Sequence, residues 1–386
     1  MKGTLYKNFN DLPPAYGSLL AEAGTQNFYF GLPWYRNVTR TTLDAGDELV
    51  LIGVEDDGGA AEGTGTGVAR ALLVARRRSA SFLKPRILDL FVNSYTMIAG
   101  PVLRPGEVAR DEIAATLVRT VRQTLPDIDI VRLDSMDPDS PDFGALEKAL
   151  AANGYQTHRA FSFVNWYEPC RDVSYEAYVA SLSGKMRNLI GRRTRKLERE
   201  SNIRWTLTDG TDGTDGTDDT DGIDGIDGFE QAMAAYWKIY DGSWKIPESY
   251  PDFIDGFVAA CIEAGTLRLG ILYIDDEPAA AQIWTITNGE ATIYKLAYDE
   301  KFKNLSAGSV LTAKIMQQVL DNDKPHTVDF GYGNDPYKKD WTRQRRDRMG
   351  LIGFRTARPL GAIAAAKSFA RRKAAALRDR LRGQET

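Results

Sequence analysis

The chain has 386 residues, of which 43% are hydrophobic and 26% charged, as in globular proteins long enough for two domains. It contains no run of about 20 apolar residues that would cross a bilayer, and its first residues lack the apolar core of a secretory signal. We therefore expect a cytoplasmic protein. The two cysteines, Cys170 and Cys261, are too far apart in sequence to suggest a metal or redox pair.

The chain has only two histidines, His158 and His326, and neither lies in a motif typical of zinc sites or Ser-His-Asp triads. We therefore expect no metal. Any catalysis must rely on carboxylates, tyrosine, lysine, hydroxyl groups and backbone amides.

The first half, residues 1–168, is predicted to be a mixed α/β domain with hairpins first and crossovers later. Apolar residues spaced by four predict its first helix, and alternating runs predict its strands. The predicted elements are strands at Glu48–Glu55, Val68–Arg76 and Ile87–Ile98, a helix at Arg110–Thr124, a strand at Ile128–Leu133, a helix at Phe143–Asn153 and a strand at Thr157–Asn165.

The second half, residues 169–358, repeats this order in outline. Asn288-Gly289 predicts a tight hairpin between its third and fourth strands. The predicted elements are helices at Tyr175–Ser181 and Lys185–Glu200, a strand at Ile203–Thr208, helices at Phe229–Tyr240 and Tyr250–Ala264, strands at Thr266–Ile274, Pro278–Thr287 and Ala291–Tyr298, a helix at Ser309–Asp321, and strands at Thr327–Gly331 and Leu351–Thr356.

Two segments have a biased composition. Residues 208–228 repeat a Thr-Asp-Gly unit with eight aspartates and almost no apolar residue, which predicts a flexible loop. A calcium-binding repeat is the alternative, although the tract lacks the nine-residue period of such proteins. Residues 359–386 form a basic C-terminal helix that either packs on the domain or adheres weakly to an anionic membrane surface.

A short turn precedes the helix predicted from Ser309. It reads Ser306-Ala307-Gly308-Ser309, and small residues at a helix start leave the first N–H groups accessible. Such a turn either holds a phosphate at the positive end of the helix dipole or only caps the helix. The basic run Lys185–Arg199 has the same two interpretations, a solvated helix or a phosphate-binding surface.

The second half resembles the GNAT acyltransferases, in particular the CelD-type acetyltransferase-like branch associated with polysaccharide synthesis and related to the Fem peptidyl transferases. The resemblance extends over Ser174–Arg358. It rests on five segments in order: Tyr240–Glu248, Pro278–Trp284, Tyr294–Asp299, Ser306–Ser309 and Val328–Lys338.

This resemblance implies an α+β fold of two tandem GNAT-like domains, each a mixed, mostly antiparallel sheet flanked by helices. It implies an acyl-CoA, with acetyl-CoA first among the candidates, in a gap between Ala291–Tyr298 and Thr327–Gly331. The cofactor-binding residues would be Leu296, Ala297, Tyr298, Lys303, Asn304, Ser306, Ala307, Gly308 and Ser309. The chain departs from the usual GNAT phosphate loop, since it has one glycine there. The first domain has Gly100-Pro101 at the matching place, where proline removes a donor.

Acyl transfer needs a base for the acceptor, donors for the oxyanion and an acid for the leaving thiolate. Asp329, in the strand that faces the gap, is the candidate base. Tyr337 and Lys338 follow a glycine-rich turn and would protonate the thiolate or bind phosphate. The expected acceptor contacts are Trp244, Lys245, Glu248, Gln282 and Trp284.

The sequence thus predicts an acyl-CoA-dependent N- or O-acyltransferase that acts on a sugar, amino-sugar or amino-acid intermediate. The acceptor would be a small or lipid-linked molecule, with no DNA partner. One alternative is a Fem-type transferase that uses aminoacyl-tRNA, which the lack of a heptad-patterned helical arm disfavours. The other is a non-catalytic module that supports polysaccharide synthesis.

Overall fold

The computed structural model describes residues 1–56, 67–81, 83–210 and 225–382, with side chains to residue 374. Most of the acidic tract predicted to be flexible, residues 211–224, lies outside these ranges.

Thirteen strands belong to one sheet within the described residues. They are β1 (Lys2–Tyr6), β2 (Glu48–Glu55), β3 (Ala69–Arg77), β4 (Ile87–Leu90), β5 (Val102–Leu103), β6 (Ile130–Met136), β7 (Gln156–Pro169), β8 (Ile203–Thr208), β9 (Leu267–Ile274), β10 (Glu277–Thr287), β11 (Glu290–Tyr298), β12 (Thr327–Tyr332) and β13 (Gln344–Phe354).

Eleven α-helices flank the sheet in the same part of the chain. They are α1 (Pro14–Gln26), α2 (Leu32–Thr42), α3 (Arg110–Thr124), α4 (Pro141–Ala152), α5 (Tyr175–Ser181), α6 (Gly184–Glu200), α7 (Gly225–Asp241), α8 (Phe253–Glu263), α9 (Ala307–Gln318), α10 (Lys338–Trp341) and α11 (Pro359–Arg382).

The strand order shows an internal repeat. It runs β1-β2-β3-β4-β6-β13-β7-β12-β11-β10-β9-β8, so the two halves read alike from the two edges inward. In each half four antiparallel strands lead through a helix to a fifth strand, which pairs in parallel with the fourth. The halves then exchange their last strands, because β13 pairs with β6 and β7 pairs with β12. The tandem arrangement is therefore one continuous sheet.

Strands such as β3, β9 and β10 are buried along nearly their whole length, because helices cover both faces of the sheet. Helices α1, α2, α7 and α8 pack together on one face and share a core with both halves. On the other face, α3 and α4 cover the first half, whereas α6 and α9 cover the second. The second half is thus covered by different helices on the two faces of the sheet.

Most predicted elements are present, and the hairpin at Asn288-Gly289 is confirmed, with both residues in the left-handed region. The predicted strand Ile87–Ile98 ends at Leu90, and the chain continues as a loop that includes Tyr95. Five elements of the structure were not predicted: β1, β5, α1, α2 and α10. Helix α1 contains Gly17 and Gly24, which weaken the helical pattern.

The C-terminal helix α11 packs against the central strands β6 and β13, where β6 begins and β13 ends. Phe369 and Ala365 contact Phe354 and Ile130. No helix in the described part of the chain is both long and apolar enough to cross a membrane.

Candidate functional site

A gap opens between β11 and β12. The two strands pair in parallel only at Glu290–Thr327, Ala291–Val328 and Thr292–Asp329. Immediately afterwards the register of β11 against β10 shifts, so that Tyr294 is an extra residue on β11. Such a bulge bends a strand and increases its twist. Residues 293–298 of β11 therefore leave β12, as the resemblance implied.

The turn at the start of α9 lies at the far end of this gap. Ser306 has a φ of 58° and makes no side-chain cap, so the first N–H groups of α9, at residues 307–309, have no acceptor within the helix. A β-carbon at Gly308 would lie 3.1 Å from Cδ1 of Tyr298, the last residue of β11. The predicted residues Tyr298 and Ser306–Ser309 are thus adjacent.

Basic side chains approach this turn from α6. Arg193 donates from its guanidinium to the carbonyl of Asn304 at 3.3 Å, while its buried Nε has no hydrogen-bond partner. The exposed Lys303 lies 3.6 Å from Glu300. A phosphate would satisfy both the helix N-terminus and a guanidinium. The sequence indicated a basic helix here but not which of its residues faces the turn.

Leu296 and Ala297 belong to the predicted cofactor strand and face different layers. Leu296 packs toward α9, whereas Ala297 is buried in the core shared by both halves. Their contribution to ligand binding would therefore come from the backbone at the gap rather than from both side chains.

Gln282 and Trp284 lie beneath the turn, and this corrects their predicted role as acceptor contacts. Both are buried to within 1% of complete burial. The Gln282 amide donates to Oγ1 of Thr312 at 2.7 Å and to the carbonyl of Gly308 at 3.2 Å. The Trp284 indole donates to Gln282 at 2.8 Å. The pair holds the start of α9 against β10.

Glu248 is the centre of a hydrogen-bonded cluster on the other face of the gap. Its carboxylate accepts from Tyr95 at 2.6 Å, from Tyr240 at 2.9 Å and from the ammonium of Lys295 at 2.7 Å. Burial would raise the pKa of Glu248, but these bonds outweigh it and hold the pKa below its ordinary value. Tyr95 belongs to the first half of the chain, so both halves contribute side chains to the cluster around Glu248.

Trp244 and Lys245 precede Glu248 in the loop between α7 and α8. Trp244 is half exposed and packs at a tilt against Tyr298, with ring centres 4.4 Å apart. The Lys245 ammonium lies 5.8 Å and 6.0 Å from the ring centres of Trp244 and Tyr240. Burial, followed by the charge of Lys295, lowers the pKa of Lys245 to about 8.

Asp329 lies where β11 and β12 part, but its oxygens are already engaged. Oδ1 accepts from Asn165 at 2.7 Å and from the N–H of Gly331 at 2.6 Å, and Oδ2 pairs with Arg346 at 2.7 Å. The side chain is buried. Three donors of the protein thus hold this carboxylate in place, and its geometry favours a positioning role over the predicted role of base.

The carboxyl group of Glu290 lies 3.6 Å from Arg346. Burial and the charge of Asp329 raise the pKa of Glu290.

Tyr337 and Lys338 are neighbours with different environments. Lys338 is buried, and its ammonium donates to the carbonyl groups of Tyr332 and Gly333 at 2.7 and 3.4 Å and lies 3.4 Å from Asp335. It therefore holds its own loop, which corrects its predicted role in catalysis or phosphate binding. The carbonyl of Tyr337 accepts from the N–H of Asp340 at 3.0 Å, and burial raises the pKa of the Tyr337 hydroxyl group. It remains a candidate acid.

In the corresponding turn of the first half, a carboxylate accepts hydrogen bonds from the backbone. Helix α3 follows Glu107, whose Oε1 accepts from the N–H groups of Val108 and Ala109 at 2.9 and 2.8 Å. The Glu107 side chain is buried and lies 3.5 Å from Arg70. The matching turn is thus at Glu107 rather than at the predicted Gly100-Pro101. The carboxylate binds the two N–H groups that precede α3, and the helix itself has no side-chain cap.

Metal ligands do not cluster here. The described ranges contain no group of three or more His, Cys, Asp or Glu residues that could hold a metal ion.

Residues 184–339 match a family model described as the acetyltransferase (GNAT) domain. This match extends to the superfamily and not to the CelD-type branch. A search of curated proteins finds no match.

Three solved structures share the fold across both halves. The crystal structure of FemX has a TM-score of 0.57 at 11% identity, covering 92% of this chain and 97% of that one. The C-terminal domain of a putative lysylphosphatidylglycerol synthetase from Agrobacterium fabrum has a TM-score of 0.50 at 11% identity, covering 92% and 96%. A conserved protein of unknown function from Bacteroides thetaiotaomicron has a TM-score of 0.51 at 10% identity, covering 89% and 98%.

At these identities the likeness concerns the fold alone. Residues 184–339 carry the sequence signature of a GNAT acetyltransferase domain, within a mixed α/β fold similar to that of FemX.

Proposed function

We propose that this protein transfers an acyl group from an acyl-CoA, with acetyl-CoA first among the donors, to an amine or a hydroxyl group. The observation that carries the proposal is the gap between β11 and β12, which leads directly to the uncapped start of α9. An extended pantetheine arm and a pyrophosphate need those two features side by side.

The donor's phosphates would bind the N–H groups of residues 307–309 and the guanidinium of Arg193. Its thioester would lie along β11 near Tyr294, where the bulge frees the strand from β12. Gln282 and Trp284 would keep the turn fixed from below, which lowers the entropic cost of ordering the loop on binding.

The acceptor would enter from the opposite face, between the loop that holds Trp244 and the first-half loop that holds Tyr95. Carboxylate, amine and phenol groups line this wall together with an exposed indole, a set typical of sites for hydroxyl-rich or amino-bearing molecules. A sugar, amino-sugar or amino-acid intermediate of polysaccharide or envelope synthesis fits this chemistry, free or linked to a lipid. The basic helix α11 would add a weak contact to an anionic membrane surface.

A Fem-type donor, an aminoacyl-tRNA, is the second candidate because the fold is similar to that of FemX over the whole chain. The basic side chains of α6 would also suit an RNA backbone.

Ligand-induced stabilisation separates the two donors. A ligand at 100 times its Kd raises the unfolding free energy by about 2.7 kcal/mol. We expect acetyl-CoA or a longer acyl-CoA to raise the melting temperature and an aminoacyl-tRNA to leave it unchanged. The reverse result would favour the Fem-type donor, and no shift with either would favour a non-catalytic module.

A further inference from the structure

Lys245 differs from the other charged side chains of the cleft because its ammonium makes no hydrogen bond or ion pair with a described residue. Its backbone N–H is bonded to Ser243, but the structure gives the Nζ atom only the two aromatic rings at 5.8 and 6.0 Å. The side chain is half-buried. Partial desolvation of this amine penalises its charged form and so lowers the stability of the fold. A group that destabilises the fold in this way indicates a function.

The charges that face Lys245 come from both walls of the gap. Lys295 belongs to β11, Glu248 to the loop of Lys245 itself, and Asp335 and Lys338 to the segment after β12. Lys245 therefore lies at the mouth of the gap, between the strand that would carry the thioester and the loop that follows the partner strand. Two cations and two anions nearly balance around it, so burial dominates and lowers the pKa to about 8.

The other candidate bases are engaged. Asp329 is held by Arg346 and Asn165, and Glu248 accepts three hydrogen bonds. Each carboxylate already accepts three hydrogen bonds from the protein, which leaves at most one of its four lone-pair sites for a proton of the acceptor molecule.

We propose that Lys245 is the proton-transfer residue of the reaction, a proposal that rests on the function proposed above. In the step that it serves, the acceptor's nitrogen or oxygen forms a bond to the acyl carbon while the neutral amine of Lys245 takes the acceptor's proton. The carbon–sulfur bond breaks, and CoA leaves as a thiolate. The ammonium of Lys245 then returns its proton to the thiolate, either directly or through Tyr337, which gives its own proton to the thiolate and takes the proton of Lys245 in return. Atoms and charges balance without a further reactant.

Charge and proton transfer are separated by two substitutions at one position. Lys245→Met removes both, whereas Lys245→Arg keeps a positive charge that does not titrate in the working range. The probe reaction is cleavage of acetyl-CoA with water as the acceptor, followed by release of the CoA thiol. Lys148→Met, on the exposed surface of α4, is the matched control.

We expect the wild-type rate to rise with pH to a plateau with a midpoint near 8, and both Lys245 variants to lose about 10²–10⁴-fold in rate. Both variants should bind acetyl-CoA as the wild type does. A Lys245→Arg enzyme with the wild-type rate and pH profile would overturn the proposal and make Lys245 an electrostatic contact for an anionic acceptor.

A second measurement does not depend on turnover. Labelling of Lys245 by trace acetic anhydride as a function of pH, read by mass spectrometry, should give a midpoint near 8. Lys295→Met should move this midpoint upward because it removes a neighbouring cation and frees Glu248. A midpoint near 10.5, the ordinary value for lysine, or an unreactive amine overturns the role of Lys245. Failure of the wild type to bind acetyl-CoA counts instead against the proposed donor.

Discussion

The indole ring of Trp244 packs against the ring of Tyr298 at a tilt of 39°, with centres 4.4 Å apart. A side chain at Gly308 would project toward the Tyr298 ring as well. This aromatic pair therefore joins the loop between α7 and α8 to the turn at the start of α9.

Trp244→Ala is therefore expected to weaken both ligands. An aromatic pair contributes about 0.5–1.5 kcal/mol beyond its buried area, so acetyl-CoA should bind roughly 2–10-fold more weakly. Trp244→Phe should retain most of the affinity. Calorimetric titration measures this effect. Unchanged acetyl-CoA affinity in Trp244→Ala would show that the loop and the turn are independent.

Gly308→Val should abolish acyl-CoA binding while the protein stays folded. Its β-carbon would lie 3.1 Å from the Tyr298 ring, and the branched methyl groups would fill the space in front of the first N–H groups of α9. Gly144→Val is the matched control, since it lies in the first turn of α4 with open space around it. Normal acyl-CoA affinity in folded Gly308→Val would remove the phosphate site from this turn.

Arg193→Met should lower the affinity for CoA about 10–100-fold, because a hydrogen bond to a charged group contributes about 1.5–3 kcal/mol. The affinity for S-acetylpantetheine, which lacks the nucleotide phosphates, should not change. Arg199→Met, on the same helix but paired with Glu200, is the control. Equal losses for both ligands would mean that Arg193 acts through the fold.

Asp329→Asn should destabilise the protein as well as slow it. The substitution removes the closer charged partner of Arg346 and leaves it the Glu290 carboxyl group at 3.6 Å, at a cost of about 3 kcal/mol. Urea unfolding of Asp329→Asn, Arg346→Met and the double variant measures the coupling. A large loss of turnover with an unchanged free energy of unfolding would restore Asp329 as the base.

Lys245→Met should raise the melting temperature at pH 7. The folded-state pKa of Lys245 is about 8 and its ordinary value is 10.5, so the folded protein binds its proton less tightly than the unfolded chain. The cost of charging the buried amine is fully present below pH 8 and disappears as pH rises from 8 to 10.5. The advantage of Lys245→Met should therefore shrink over that window. A difference independent of pH would indicate that packing rather than charge separates the two proteins.

Most helices and strands of the second half could be predicted from local sequence patterns. The Asn288-Gly289 turn and the amphipathic residues of α9 are encoded in neighbouring residues, and both were found within a few positions. The exchange of β7 and β13 could not be predicted, because it pairs residues nearly 200 positions apart. A strand's own periodicity does not specify its partner.

The candidate site likewise combines local motifs, which could be predicted, with contacts between distant residues, which could not. Ser306–Ser309 and Trp244–Glu248 were recognisable as motifs, but the groups that bind Asp329 and Glu248 come from elsewhere in the chain. Asn165 and Tyr95 are 164 and 153 positions from their partners. The sequence does not show that these partners bind the two carboxylates. Asp329 was predicted to be a base because its bonds to the rest of the protein could not be read from the neighbouring residues.

Hydrogen exchange on the full chain, with and without saturating acetyl-CoA, tests whether the donor binds along β11 and at the start of α9. We expect slower exchange of the backbone amides at residues 293–298 and 307–311. We expect no change around α3, because the carboxylate of Glu107 already binds the two N–H groups that precede this helix. Slower exchange at residues 108–112 instead, or no change at β11 and α9 under conditions in which acetyl-CoA binds, would contradict it.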